Sequence, residues 1–128
     1  MVKRYDVSGV RSPGGRYSLV AEVEAASQLY FLAGQTGVDE SGRTGDGITE
    51  QAEICYGRVK RILEECGLEL DNLVRLTVYL TDPDDIEAWR DVEVKALGRM
   101  VPPAHTLLVV ARLARPEFLI EVEAVAAG

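Results

Sequence analysis

Three side chains of this sequence stand where chemistry is easiest to build: His105, the only histidine, and Glu121 and Glu123 near the C-terminus. His105 follows Val101-Pro102-Pro103-Ala104 and precedes Thr106 and the apolar run Leu107–Ala111. Two adjacent prolines end one element and set the start of the next. Glu121 and Glu123 interrupt an otherwise apolar stretch, Glu121-Val122-Glu123-Ala124-Val125-Ala126. A polar side chain at a strand mouth, with a carboxylate on a nearby strand, makes a polar site in an apolar pocket. A carboxylate among apolar neighbours must be paired or face a cleft. His105 or a residue of a neighbouring subunit is the expected partner of Glu121. Desolvation there would raise the Glu121 pKa and suit it to general acid–base work. Glu123 shares the same strand parity and is a candidate to share the role. The plainer reading of His105 is a ring that satisfies a carbonyl at the strand mouth.

The elements that must position these residues follow from periodicity. Tyr17–Glu24 alternates as a strand, and Gln28–Ala33 is a second one. The short link Ala25-Ala26-Ser27 predicts a hairpin between them. Val2–Val7 can form a further edge strand, and Ser8–Gly15 reads as a loop. Asp39–Gly47, with three glycines, is also a loop. Ile48–Cys66 carries apolar residues at helical spacing and stops at Gly67. Leu73–Leu80 alternates as a strand. Thr81-Asp82-Pro83-Asp84 starts a second helix, about Asp84–Leu97, which buries Ile86, Trp89, Val92 and Ala96 and stops at Gly98. Strands Thr106–Leu113 and Phe118–Ala126 flank a turn containing Pro116. The order predicts a two-layer α+β domain: a mixed β-sheet with two helices on one face. Two helices cover one face only, while several strands are apolar on both, so the other face needs a partner.

Bulk properties narrow the function classes. The 128 residues predict one domain, 1–128. A formal net charge of −7 argues against general binding to nucleic acid or to an anionic membrane. Arg11, Arg16, Arg112 and Arg115 are the candidates for a local basic patch. Cys55 and Cys66 lie about 16 Å apart along the predicted helix, too far for a disulfide, and are expected to be reduced and buried. No Cys/His cluster suggests a metal, no cofactor motif is present, and no stretch can span a membrane. With no apolar leader, a cytoplasmic location is expected.

The sequence also resembles the RidA/YjgF family along nearly its whole length. Gly15-Arg16-Tyr17-Ser18 resembles the family's Gly-Pro-Tyr-Ser/Val loop, and Ala33-Gly34-Gln35-Thr36-Gly37 its Ser-Gly-Gln turn. Pro103-Ala104-His105-Thr106 occupies the Pro-Ala-Arg-(Ser/Thr) box, and Glu121-Val122-Glu123-Ala124-Val125-Ala126 the closing strand. His105 stands where the family has arginine. The resemblance implies a chorismate mutase-like fold and a homotrimer with ligand clefts between subunits. It also implies deaminase chemistry, in which an imine or enamine is hydrolysed to a keto acid and ammonia. Glu121 then takes the place of the residue that positions the attacking water. Tyr17, Gly34, Gln35, Thr106 and Leu107 become candidate substrate contacts.

Histidine at position 105 alters that expectation. It has no guanidinium fork and cannot serve as a permanent bidentate carboxylate clamp. It can act as an acid or base, or bond a carbonyl. The usual 2-imino acids are therefore not the expected substrates. A substrate without an α-carboxylate, or one held by Arg90, is. The plainer reading of Arg90 is a helix arginine paired with Glu87 or Asp91. The leading expectation is an enzyme on a small imine, enamine or related carbonyl compound, a member recruited to a specialised biosynthetic step included. Catalysis would fall to Glu121 and His105. The alternative is a non-catalytic trimer that binds a small metabolite in the same cleft. Ribonuclease activity is disfavoured by the acidic charge and the single histidine.

Overall fold

Residues 2–128 are described in a computed structural model. Six strands and two helices form two layers. A short antiparallel pair, β1 (Val2–Tyr5) and β2 (Val20–Val23), lies beside a four-stranded sheet. That sheet holds β3 (Leu29–Thr36), β4 (Leu73–Leu80), β5 (Ala104–Val109) and β6 (Ile120–Ala127) in the order β3-β6-β4-β5. β4 and β5 run parallel, and the other pairings are antiparallel. The helices are α1 (Gly47–Glu65) and α2 (Ile86–Leu97). The expected α+β architecture is therefore the observed one. No described helix is long and apolar enough to cross a membrane.

Register decides which side chains face the helices, because cross-strand partners share a face. His105 pairs with Leu76, and Leu76 with Ala124. Leu76, Val78, Leu80, Ile120, Val122 and Ala124 are buried against Ala52, Cys55, Val59 and Leu63 of α1 and Trp89 and Val92 of α2. The opposite face carries Arg75, Thr77 and Tyr79 of β4, Glu121 and Glu123 of β6, and Thr106 and Leu108 of β5. It is open: Phe31 is 76% exposed, Leu29 53% and Leu108 44%.

Four local expectations are corrected. The β2–β3 hairpin does not form. The link does turn tightly, with the Ser27 amide donating to the Glu24 carbonyl at 3.0 Å. β2 then pairs with β1, and β3 with β6. The strand expected over Tyr17–Glu24 is only Val20–Val23, because Ser18 is tied elsewhere: its amide donates to the Pro103 carbonyl at 3.0 Å and its hydroxyl to the Pro102 carbonyl at 2.7 Å. The strand predicted to reach Leu113 ends at Val109, with one further bond from the Val110 amide to the Leu80 carbonyl. Cys66 is exposed rather than buried, since α1 ends at Glu65 and position 66 is its cap. Cys55 is buried, and burial pushes its thiol up to about 12.

Gln51, buried on α1, joins the loop before α1 to the chain entering β6. Its amide donates to the carbonyls of Gly45 (3.1 Å) and Glu117 (3.0 Å), and its oxygen accepts from the Leu119 amide (2.9 Å). Gln51→Leu would keep the bulk and strip these partners. Each buried orphan costs on the order of 1–3 kcal/mol, so a total loss of about 3 kcal/mol is expected. Urea unfolding reads it directly; a loss well under about 1 kcal/mol would show that solvent satisfies these groups.

Candidate functional site

A pocket of about 540 Å³ opens between the Pro13–Tyr17 loop, α2 and the start of β5. The loop reaches it through local chemistry. Gly14 and Gly15 both adopt positive φ (67° and 80°), a region that favours glycine. The Ser18 bonds to Pro102 and Pro103 then pin the next residues against the mouth of β5. Arg16 and Tyr17 are thereby carried over the pocket. From α2 come Trp89, Arg90, Glu93, Val94 and Leu97, which share one side of the helix. From β5 come His105 and Leu107, residues of one parity, and Met100 completes the apolar floor.

His105 sits at the centre of these groups. Its ring centroid lies 5.6 Å from that of Trp89 and 6.4 Å from that of Tyr17. His105 Nε2 is 2.9 Å from Glu93 Oε2, with both side chains under a tenth exposed. The Tyr56 hydroxyl donates to the same carboxylate oxygen, and Trp89 Nε1 donates to the Tyr56 oxygen at 2.9 Å. Burial first, and the adjacent Glu93 carboxylate second, hold the Tyr56 hydroxyl well above the ordinary tyrosine range, so it stays protonated. His105 is thus part of a buried polar chain rather than a ring that merely satisfies a carbonyl.

The expected His105–Glu121 pairing is not made. The two residues belong to opposite faces of the sheet: His105 shares the side of Leu76, Glu121 that of Tyr79. Glu121 instead lies against Gly34, where a methyl group would overlap its carboxylate. Among the described residues it has no hydrogen-bonding or ion-pair partner. Glu123 keeps the predicted parity but is engaged by the Tyr79 hydroxyl, and that bond is the first cause of a raised Tyr79 pKa.

The other predicted contacts divide between the two faces. Tyr17, Arg90 and Leu107 line the pocket with His105. Thr106 is exposed on the opposite face, beside Thr77 in register. Gln35 is buried: its side-chain amide donates to the Ala33 carbonyl (2.9 Å), and its backbone carbonyl accepts from the Cys55 thiol (3.2 Å). Arg90 forms no ion pair with Glu87 or Asp91 among the described residues, unlike the plainer reading of it. Two charged pocket residues were not expected there. Arg16 figures in the sequence only as a candidate for a local basic patch, and Glu93 carries no sequence-based expectation. The spacing of Glu93, four residues after Trp89 on the buried side of α2, was the available signal. No cluster of three or more metal-ligating side chains exists among the described residues.

Comparison with known proteins agrees with this layout. The family model described as Endoribonuclease L-PSP matches residues 10–128. A RutC family protein of Pyrococcus abyssi is 37% identical over 116 residues, covering 89% of this chain and 87% of its own. TdcF of Escherichia coli, named as a candidate reactive intermediate deaminase, is 28% identical over 119 residues, 91% of each chain. A crystal structure of TdcF with bound serine superposes with a TM-score of 0.75 at 27% identity, covering 83% of this chain and 84% of that one. The conserved Rid family protein YyfB of Yersinia pestis matches in fold with a TM-score of 0.89 at 22% identity, over 99% and 98% of the two chains.

Proposed function

This chain belongs to the Endoribonuclease L-PSP family, the RidA/YjgF proteins, and on that premise we propose that it hydrolyses an imine or enamine in a cleft completed by a second copy of itself. The observation that carries this reading is the pocket that brings Tyr17, Arg90, His105 and Leu107 together. Relatives such as TdcF, named for reactive intermediate deamination, support the reaction class. Arg16 and Arg90 supply the guanidinium groups that position 105 lacks, from other directions. The lining suits an imine or enamine with its anion at Arg90 or Arg16 and an apolar body over Leu107 and Met100.

The hydrolysis needs orientation and proton transfer more than barrier-breaking power. A water adds to the imine carbon while Glu121 takes one of its protons. The nitrogen gains that proton to give a carbinolamine, whose hydroxyl proton then passes to nitrogen as the C–N bond breaks, so that a carbonyl compound and ammonia leave. Glu121 and His105 of one chain face opposite ways, so one cleft combines His105 of one copy with Glu121 of another. The exposed apolar face around Phe31 and Leu108 suits such an assembly, a cyclic homotrimer.

Non-catalytic binding of a metabolite is the second reading, favoured by the fact that no chain holds both groups on one face. An imine assay separates the two. Imines released by an L-amino acid oxidase from leucine should disappear faster than in buffer, and faster than 2-iminopropanoate or 2-iminobutanoate. Arg90→Ala should slow the leucine-derived imine. No acceleration for any imine would leave the binding reading in place of this one.

Gly34 supplies an independent prediction. Gly34→Ala places a methyl where the Glu121 carboxylate lies, so the carboxylate must swing away. A displacement of that size costs on the order of 10²-fold in turnover, with the denaturation midpoint little changed because both groups are on the open face. Unchanged turnover would show that Glu121 does not act from this position.

A further inference from the structure

We propose that the buried chain Trp89–Tyr56–Glu93 fixes His105 in one tautomer, with Nδ1 presented to the pocket as a hydrogen-bond acceptor, so that the site selects ligands carrying an N–H or O–H group there. The first link has a forced direction, and the other two follow with Glu93 as a carboxylate. An indole nitrogen can only donate, so the Tyr56 oxygen accepts from Trp89 at 2.9 Å. The single Tyr56 proton is then left for Glu93, which accepts it. A carboxylate that accepts from Tyr56 on Oε2 also accepts on that atom from His105 Nε2, at 2.9 Å. The ring proton therefore sits on Nε2, and in the neutral imidazole Nδ1 is the bare nitrogen.

His105 lines the pocket, and its Nδ1 is the ring nitrogen left free by Glu93. Among the described residues it has no hydrogen-bond partner, and no fully buried side-chain nitrogen or oxygen lacks one. It is thus not fully buried, and His105 lies beside Tyr17 and Trp89 at the pocket. Glu93 is a positioning residue in this scheme: it acts on the ligand through the ring that it orients. An arginine at position 105 would offer only donors. This histidine offers the reverse, and a donor-bearing ligand end must meet it. An imine N–H, an enamine NH₂ and the O–H and N–H of a carbinolamine all qualify, while a carboxylate or a bare ketone does not. The anion goes to Arg16 or Arg90. The ligand half of this inference rests on the pocket being the binding site, as proposed above; the tautomer half does not.

The test uses two single-copy reporters, because the chain has one histidine and one tryptophan. Long-range ¹H–¹⁵N spectra of histidine-labelled protein read the tautomer with no ligand present. The wild type should show the Nε2–H form alone, and Glu93→Gln a mixture. Tyr56→Phe, which keeps the carboxylate, should retain the Nε2–H form. An Nδ1–H wild type, or a Glu93→Gln spectrum identical to the wild type, would overturn the proposal. Trp89 fluorescence then reads ligand binding. 2-Hydroxy-4-methylpentanoate should bind at least about tenfold more tightly than 2-oxo-4-methylpentanoate, which lacks a donor at that carbon. Equal or reversed affinities would overturn the selectivity. If neither acid binds, the pocket is not the ligand site and the function proposed above falls with it, while the tautomer result is unaffected.

Discussion

Glu121→Gln is expected to lower turnover of a leucine-derived imine about a thousandfold and to leave the denaturation midpoint where it was. The two halves of that result have separate causes. Glu121 lies on the open face against Gly34 and has no partner whose loss would destabilise the chain. Glutamine keeps the size and removes only the ability to take a proton. General acid–base groups contribute about 10²- to 10⁴-fold, so a loss in that range fits a residue acting on water. A loss under about tenfold would mean that water needs no base here, as it does not for free imines in solution. Glu123→Gln is the matched control: its carboxylate is already engaged by Tyr79.

Glu93→Leu is expected to be the most damaging single change to the pocket, in stability as well as in binding. The carboxylate accepts from both Tyr56 and His105 in a region under a tenth exposed. Leucine leaves the buried Tyr56 O–H proton and the buried His105 ring N–H without acceptors. Each costs on the order of 1–3 kcal/mol, and about 3 kcal/mol in total is expected from urea unfolding. Tyr56→Phe should cost less, about 1–2 kcal/mol, because it orphans only the Trp89 N–H while Glu93 keeps His105. If the two variants were equally stable, the chain of donors would not be carrying its members together.

The fold was legible because its strongest signals are local. Apolar spacing in α1, alternation in β4 and the Asp82-Pro83 start before α2 each name an element from its own residues. The hairpin was misread because pairing is not local. A three-residue link suits β2 and β3 equally well whether they pair with each other or, as found, with β1 and β6. The same division holds in the site. His105 at the opening of β5 could be read from the two prolines before it. Its partner is harder to read: Glu93 comes from α2, where a single acid ordinarily faces water, and only its spacing from Trp89 points inward. That Glu121 and His105 point apart also depends on register across three strands, which no local pattern reports.

The claim that one cleft draws on two copies is tested most directly by complementation. His105→Ala and Glu121→Ala are prepared separately and then co-expressed, and consumption of the leucine-derived imine is measured for each preparation. Each variant alone should be inert. In a randomly mixed cyclic trimer, a cleft works when an intact His105 of one copy meets an intact Glu121 of the next, which gives about a quarter of the wild-type rate. A mixture as inert as its parents, with the wild type active and the mixed oligomers formed, would contradict a shared cleft and return both residues to separate sites.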